Sequence, residues 1–130
     1  MTIETQLSIF LDNRPGMLAH TCETLANAGI NILALSISDT VDHVVIRLVV
    51  SNPKQALKML EQLHGTVHQR EVILMEVPNA PGALAKIAEK LASTGINIEY
   101  AYCTSLPSQT AGSLVIRTNN LEETFDVLND

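Results

Sequence analysis

Two short stretches of the chain hold residue types suited to gripping a small ligand. Asn13-Arg14-Pro15-Gly16-Met17-Leu18 and Asn79-Ala80-Pro81-Gly82-Ala83-Leu84 each set a carboxamide two positions before a Pro-Gly pair. Proline suits the first position of a helix, where a missing amide hydrogen costs nothing, and glycine lets a ligand approach the backbone closely. The amides of such a first turn, at the positive end of the helix dipole, can hold a carboxylate. Asn31 and Asn97 each follow a Gly-Ile pair. A carboxamide both donates and accepts, so four of them can address either end of a zwitterion. The same residues are equally ordinary turn formers, because Asn before Pro-Gly and Asn after a helix-stopping glycine bond readily to local backbone.

The remaining chemical groups point away from catalysis. His64 and His68 stand four apart with Gly65 between them and no third ligand in view, so they read as solvated histidines and no metal is expected. His43, beside Asp39 and Asp42, belongs to a turn between strands with no nucleophile next to it, which gives it no catalytic role. Tyr100 and Tyr102, at alternate positions, read as packing residues. No residue is assigned to catalysis and no cofactor is expected.

Composition excludes further classes. The net charge is −6, the basic residues are scattered and aromatics make up 3% of the chain, which leaves neither a phosphate-neutralising patch nor a stacking platform for nucleic acid. No apolar run approaches the ~20 residues that span a bilayer, so no membrane partner is expected. Cys22 and Cys103 form no CxxC pair and read as reduced thiols. Met1 to Gln6 lacks the basic and apolar segments of a signal peptide, so the expected location is the cytoplasm.

The two loops recur because the chain repeats itself. Shifted by 66 residues, Asn13–Ile32 matches Asn79–Ile98 at 12 of 20 positions. Val44-Val-Ile-Arg47 then matches Leu114-Val-Ile-Arg117 at a shift of 70, so the second copy carries four extra residues near Leu106 to Ala111, which marks a loop. The units are 1–70 and 71–130, read as duplicated compact modules.

Each module must position its loop with the same elements. Leu7, Ile9 and Leu11 alternate with polar or outward residues, as do Ile73, Met75 and Val77, giving an opening strand. Helices start at Pro15 and Pro81, turn Leu18, Cys22 and Leu25 inward in one copy and Leu84, Ala88 and Leu91 in the other, and stop at Gly29 and Gly95. Second strands open at Asn31 and Asn97, third strands run through Val44–Val50 and Leu114–Arg117, and second helices follow Pro53 and span Leu121–Leu128. Thr66–Arg70 closes the first unit as a fourth strand, whereas the second has no residues for its own. Its edge is open, shortened or completed by a partner chain. The order predicts an α+β fold of ferredoxin-like βαββαβ units, with both helices on one face of an antiparallel sheet. Val45 and Val49 fall on the helix-free face, which is expected to meet a second copy in a homodimer.

N-x-P-G-x-L-A followed a dozen residues later by G-I-N-I, twice over, resembles the ACT domain across nearly the whole chain. That resemblance implies two ACT units side by side in one continuous sheet, joined through their second strands, and a free amino acid bound where a first loop meets its neighbour. The implied ligand residues are Asn13, Arg14, Pro15, Gly16, Met17, Leu18, Asn31, Asn79, Ala80, Pro81, Gly82, Ala83, Leu84 and Asn97. Some serine-binding members carry a histidine where this chain has Leu11 and Val77, which leans the ligand toward an apolar side chain. Arg14 against Ala80 and His20 against Lys86 make the two pockets chemically unequal. The implied function is a non-catalytic sensor of a free amino acid; the alternative is a regulatory subunit that docks onto a separate enzyme of amino-acid metabolism.

Overall fold

The computed structural model describes residues 1–12, 14–40 and 42–130. Its elements run β1 (Thr2–Asp12), α1 (Met17–Asn27), β2 (Ile32–Asp39), β3 (His43–Val50), α2 (Pro53–His64), β4 (His68–Pro78), α3 (Ala83–Ser93), β5 (Ile98–Thr104), β6 (Ala111–Thr118) and α4 (Leu121–Leu128). The chain forms two compact units, Thr5–Arg70 and Glu71–Asp130 with Met1–Glu4. Both are α+β and follow the split βαβ order, and β1–β3, β2–β3, β4–β6 and β5–β6 pair antiparallel.

In the unit Thr5–Arg70 the strand order is β2-β3-β1. Leu7, Ile9 and Leu11 of β1 and Ile46, Leu48 and Val50 of β3 share one core with Leu25 of α1 and Ala56 and Leu60 of α2, so both helices cover the same face. Period-two alternation in the strands and Leu25, Ala56 and Leu60 at helical spacing are what make this face dry. Asn52 caps α2, accepting from the Gln55 amide at 3.2 Å.

In the other unit the order is β4-β6-β5, and Ile73, Val77, Leu114 and Ile116 meet Leu91 and Ile96. Phe125 and Leu128 of α4 and Ile87 of α3 pack on the same cluster. The inward stripe of α3 is therefore Ile87 and Leu91. Leu84, expected inside, is 47% exposed, and Ala88 is exposed as well. The stripe is rotated toward the i, i+4 pair that the larger Ile87 offers.

Three further expectations change. The helices begin at Met17 and Ala83, two residues later than Pro15 and Pro81, because Gly16 and Gly82 adopt φ of +88° and +87°, outside the helical region. The fourth strand foreseen at Thr66–Arg70 is the start of β4, which runs without a break from His68 to Pro78. β2 and β5 are outer strands within their units, with ladders to β3 and β6; among the described residues no ladder joins the one to the other.

No strand follows α4, and the start of β1, Met1–Glu4, belongs to that unit instead. On the helix-free face Val49 is already buried in the single chain while Val45 is half-buried. Phe10, which the sheet alternation directs to that face, is 49% exposed and stands edge-on to His43 and His68 at 5.6 Å from each.

Candidate functional site

The two loop-to-helix junctions have the same backbone. Each left-handed glycine stands as the N-cap with no side-chain cap. The Met17 amide donates to the Arg14 carbonyl at 3.4 Å and the Ala83 amide to the Ala80 carbonyl at 3.2 Å. The His20 and Lys86 amides then take the Gly16 and Gly82 carbonyls at 2.9 and 3.0 Å. Between them lie the amides of Leu18 and Ala19, and of Leu84 and Ala85, first-turn donors that no intrahelical acceptor can reach.

The side chains around the junctions differ. Asn13 lies outside the described residues. Arg14 turns back along its own loop, 3.9 Å from Asp12 and 3.7 Å from the Met17 sulfur, and both charges are largely solvated, so the pair adds little. Pro15 and Gly16 are exposed, and Met17 and Leu18 are half-buried against the core of their unit.

Asn79 is a clamp. Its side-chain amide donates to the carbonyls of Leu106 and Gln109 at 2.9 and 2.8 Å, and its backbone amide to Thr110 at 2.9 Å. It thereby holds the loop that carries the four-residue insertion. Gly112 assists, because a Cβ there would run into the Thr104 carbonyl and the Ser105 side chain.

Asn31 and Asn97 sit elsewhere. The Asn31 amide donates to Ser51 Oγ at 2.9 Å and its carbonyl accepts from the Ser51 amide at 2.9 Å. Asn97 is held alike by Asn119, at 3.0 and 3.2 Å. Asp12, which precedes the first loop, lies opposite His43, eight residues before Ser51 along β3. At ~3.3 Å per residue this puts Asn31 about 26 Å from the loop of its own unit. Pro78 opposite Ala111, eight residues before Asn119, does the same for Asn97. Within a unit the strand-opening Asn and the loop do not share a pocket.

What the second loop does border is a cavity of about 300 Å³ lined by Met75, Val77, Pro78, Ala80, Pro81, Ala83, Lys86, Ile87 and Glu76. Met75 and Val77 point to the helix side with the core, so alternation directs the Glu76 side chain away from it. Lys86 is then the cation of an otherwise apolar wall, one turn into α3. Lys86, Met75, Val77 and Ile87 were absent from the expected ligand set. The signal for Lys86 was its replacement of His20 between otherwise matching copies; that for Met75 and Val77 was the strand alternation leading into the loop.

His64, expected to be solvated, is half-buried and used structurally. Thr21 Oγ1 donates to the Met17 carbonyl at 2.9 Å and meets His64 Nε2 at 3.0 Å, tying α2 to α1. Burial, and secondarily the neighbouring His20, hold the His64 pKa below its ordinary value. Among the described residues no His, Cys, Asp or Glu cluster could hold a metal ion, and no helix is long and apolar enough to cross a membrane.

Comparison with known proteins agrees with the repeat. A search of curated proteins finds no match. Among solved structures, protein BT0572 from Bacteroides thetaiotaomicron is similar, with 38% identity, TM-score 0.89, and coverage of 98% of this chain and 87% of that one. The regulatory subunit of aspartate kinase from Thermus thermophilus shares the fold at 20% identity and TM-score 0.74, over 99% of this chain and 96% of its own. That from Thermus flavus does so at 22% identity and TM-score 0.69, over 98% and 94%. The family model described as an ACT domain pair matches residues 1–130, so the chain belongs to the ACT domain pair family.

Proposed function

We propose that this chain is a non-catalytic regulatory protein of the cytoplasm that binds a free amino acid with an apolar side chain, and that the loop Asn79–Leu84 is its working site. The observation that carries this is the apolar cavity beside that loop with Lys86 on its wall. A ligand carboxylate there meets the Lys86 ammonium and the first-turn amides of Leu84 and Ala85, while Met75, Val77 and Ile87 favour an aliphatic or aromatic side chain over a polar one. Asn79 acts indirectly, by fixing the neighbouring loop, and Asn31 and Asn97 have no part in this cavity. The first loop, with Arg14 turned onto Asp12 and Met17, is the lesser candidate.

Calorimetric titration of the free amino acids, each alongside its 2-oxo acid, tests the proposal. An apolar amino acid binds and Lys86→Met weakens it at least ~10-fold, the worth of one charge-assisted hydrogen bond. No heat with any amino acid at millimolar concentration refutes it.

Docking onto a separate enzyme of amino-acid metabolism is supported by the fold shared with chains described as regulatory subunits of aspartate kinase. Co-purification from the native cell with such an enzyme is the outcome that reading requires. A second copy of the chain is the other partner in prospect, and the helix-free face offers it less than the sequence implied, since Val49 is already covered.

A further inference from the structure

A cavity of about 770 Å³ lies on the unit Thr5–Arg70, and none of its lining residues belongs to either Pro-Gly loop. One wall is α2 with its cap, from Asn52 to Glu61, and the strands contribute Thr5 and Gln69. Thr5 has the parity of Leu7, Ile9 and Leu11 and so projects to the helix side. Lys54, Lys58 and Glu61 stand at i, i+4 and i+7, a single stripe that runs about 10 Å along the helix axis.

The two lysines are uncommitted. Among the described residues neither has a hydrogen-bond partner or a carboxylate within 4 Å, Glu61 included. The helix end is not the source of the charge, because Pro53 has no amide hydrogen and Asn52 already takes the amides of Gln55 and Ala56 at 3.2 and 3.0 Å.

The repeat shows that these charges are not a generic solvated face. Asn120 caps α4 as Asn52 caps α2, accepting the Glu123 amide at 3.1 Å. Aligned on the caps, Leu57 and Leu60 fall on Phe125 and Leu128, whereas Lys54 and Lys58 fall on Glu122 and Asp126. The apolar positions are kept and both charges are reversed, in a chain whose net charge is −6. Reversal at both positions of one stripe gives the two helices different partners.

We propose that this cavity is a further ligand site, distinct from the loop cavity, which takes a small molecule bearing a diphosphate, such as a nucleoside diphosphate. Lys54 and Lys58, one turn apart on long flexible stems, hold the two linked phosphates as point charges. Glu61, Gln69 and Thr5 take the hydroxyl or amino groups at the other end. The volume is that of a site for a whole cofactor-sized molecule, and a free amino acid fills only a small part of it.

Titration calorimetry with ADP and with inorganic pyrophosphate, in magnesium-free buffer, tests this. One ADP binds per chain, pyrophosphate binds more weakly, and combining Lys54→Met with Lys58→Met lowers both affinities at least ~100-fold, the product of two charge-assisted contacts. Circular dichroism of that variant is unchanged, since both side chains are exposed. Lys90→Met, which removes the same charge outside the cavity, leaves ADP affinity as it was. No heat with ADP or pyrophosphate at millimolar concentration, adenosine bound as tightly as ADP, affinity that survives the double replacement, or an equal loss in Lys90→Met each overturns the proposal.

Discussion

Lys86 shows how one side chain separates two otherwise matching loops. Both junctions offer the same first-turn amides, and at the second an ammonium stands one turn further on beside an apolar wall, where the first has His20. Asn79 contributes at one remove: Asn79→Ala is expected to cost about 1–2 kcal/mol, because two carbonyls of the inserted loop lose their donor. Denaturant unfolding measures that loss, and a residual affinity for ligand above that of Lys86→Met would separate clamp from ligand contact.

His64 makes the α1–α2 contact sensitive to acid. Its pKa is lowered in the folded chain, so the unfolded chain takes up the proton first as pH falls. The stability it protects is complete above its ordinary value of 6.5 and is lost as pH drops through the lower folded value. Thermal midpoints measured from pH 7.5 down to pH 5 should fall less in His64→Gln than in the wild type, and an equal fall in both would remove His64 from the account.

At the scale of elements, the turn glycines and the strand registers do the positioning. Gly82 has free space where a Cβ would stand but holds φ at +87°, so Gly82→Ala brings strain without a clash, about 1–2 kcal/mol for a left-handed residue. Gly112→Ala is the reverse case: its backbone is ordinary, and the Cβ collides with the Thr104 carbonyl and Ser105. Overpacking of this kind costs about 1–3 kcal/mol, and the cost should appear as faster amide exchange in the loop 105–110. If both variants unfold at the wild-type denaturant concentration, neither backbone constraint matters to stability.

At the scale of the molecule, β1 begins in one compact unit and ends in the other. Removing Met1–Glu4 should therefore loosen the unit Glu71–Asp130, with faster amide exchange in β4 and β6 and little change in β2 and β3. Equal loosening of both would show that the first four residues do not belong to the second unit alone. Ile87 lines both the cavity of the second loop and a groove beside β5, so Ile87→Ala should weaken binding of an apolar amino acid in that cavity and enlarge both spaces, at a cost of about 2–5 kcal/mol that denaturant unfolding measures.

What the residues determine by themselves is local and periodic. The 66-residue repeat, the alternation of Leu7, Ile9 and Leu11, the helical spacing of Ala56 and Leu60, and the two Pro-Gly turns specify the order of elements and the family, because each signal spans only a few consecutive residues. Tertiary structure alone decided which residues meet. Asn31 and Asn97 repeat as faithfully as the loops, yet strand register carries them to the far end of their sheets, a distance no motif records. Lys86, Met75 and Val77 come together through the return of α3 across β4, and β4 extends through what the repeat marked as a boundary. Such meetings depend on chain direction and ladder alignment, and a duplicated motif is silent on both.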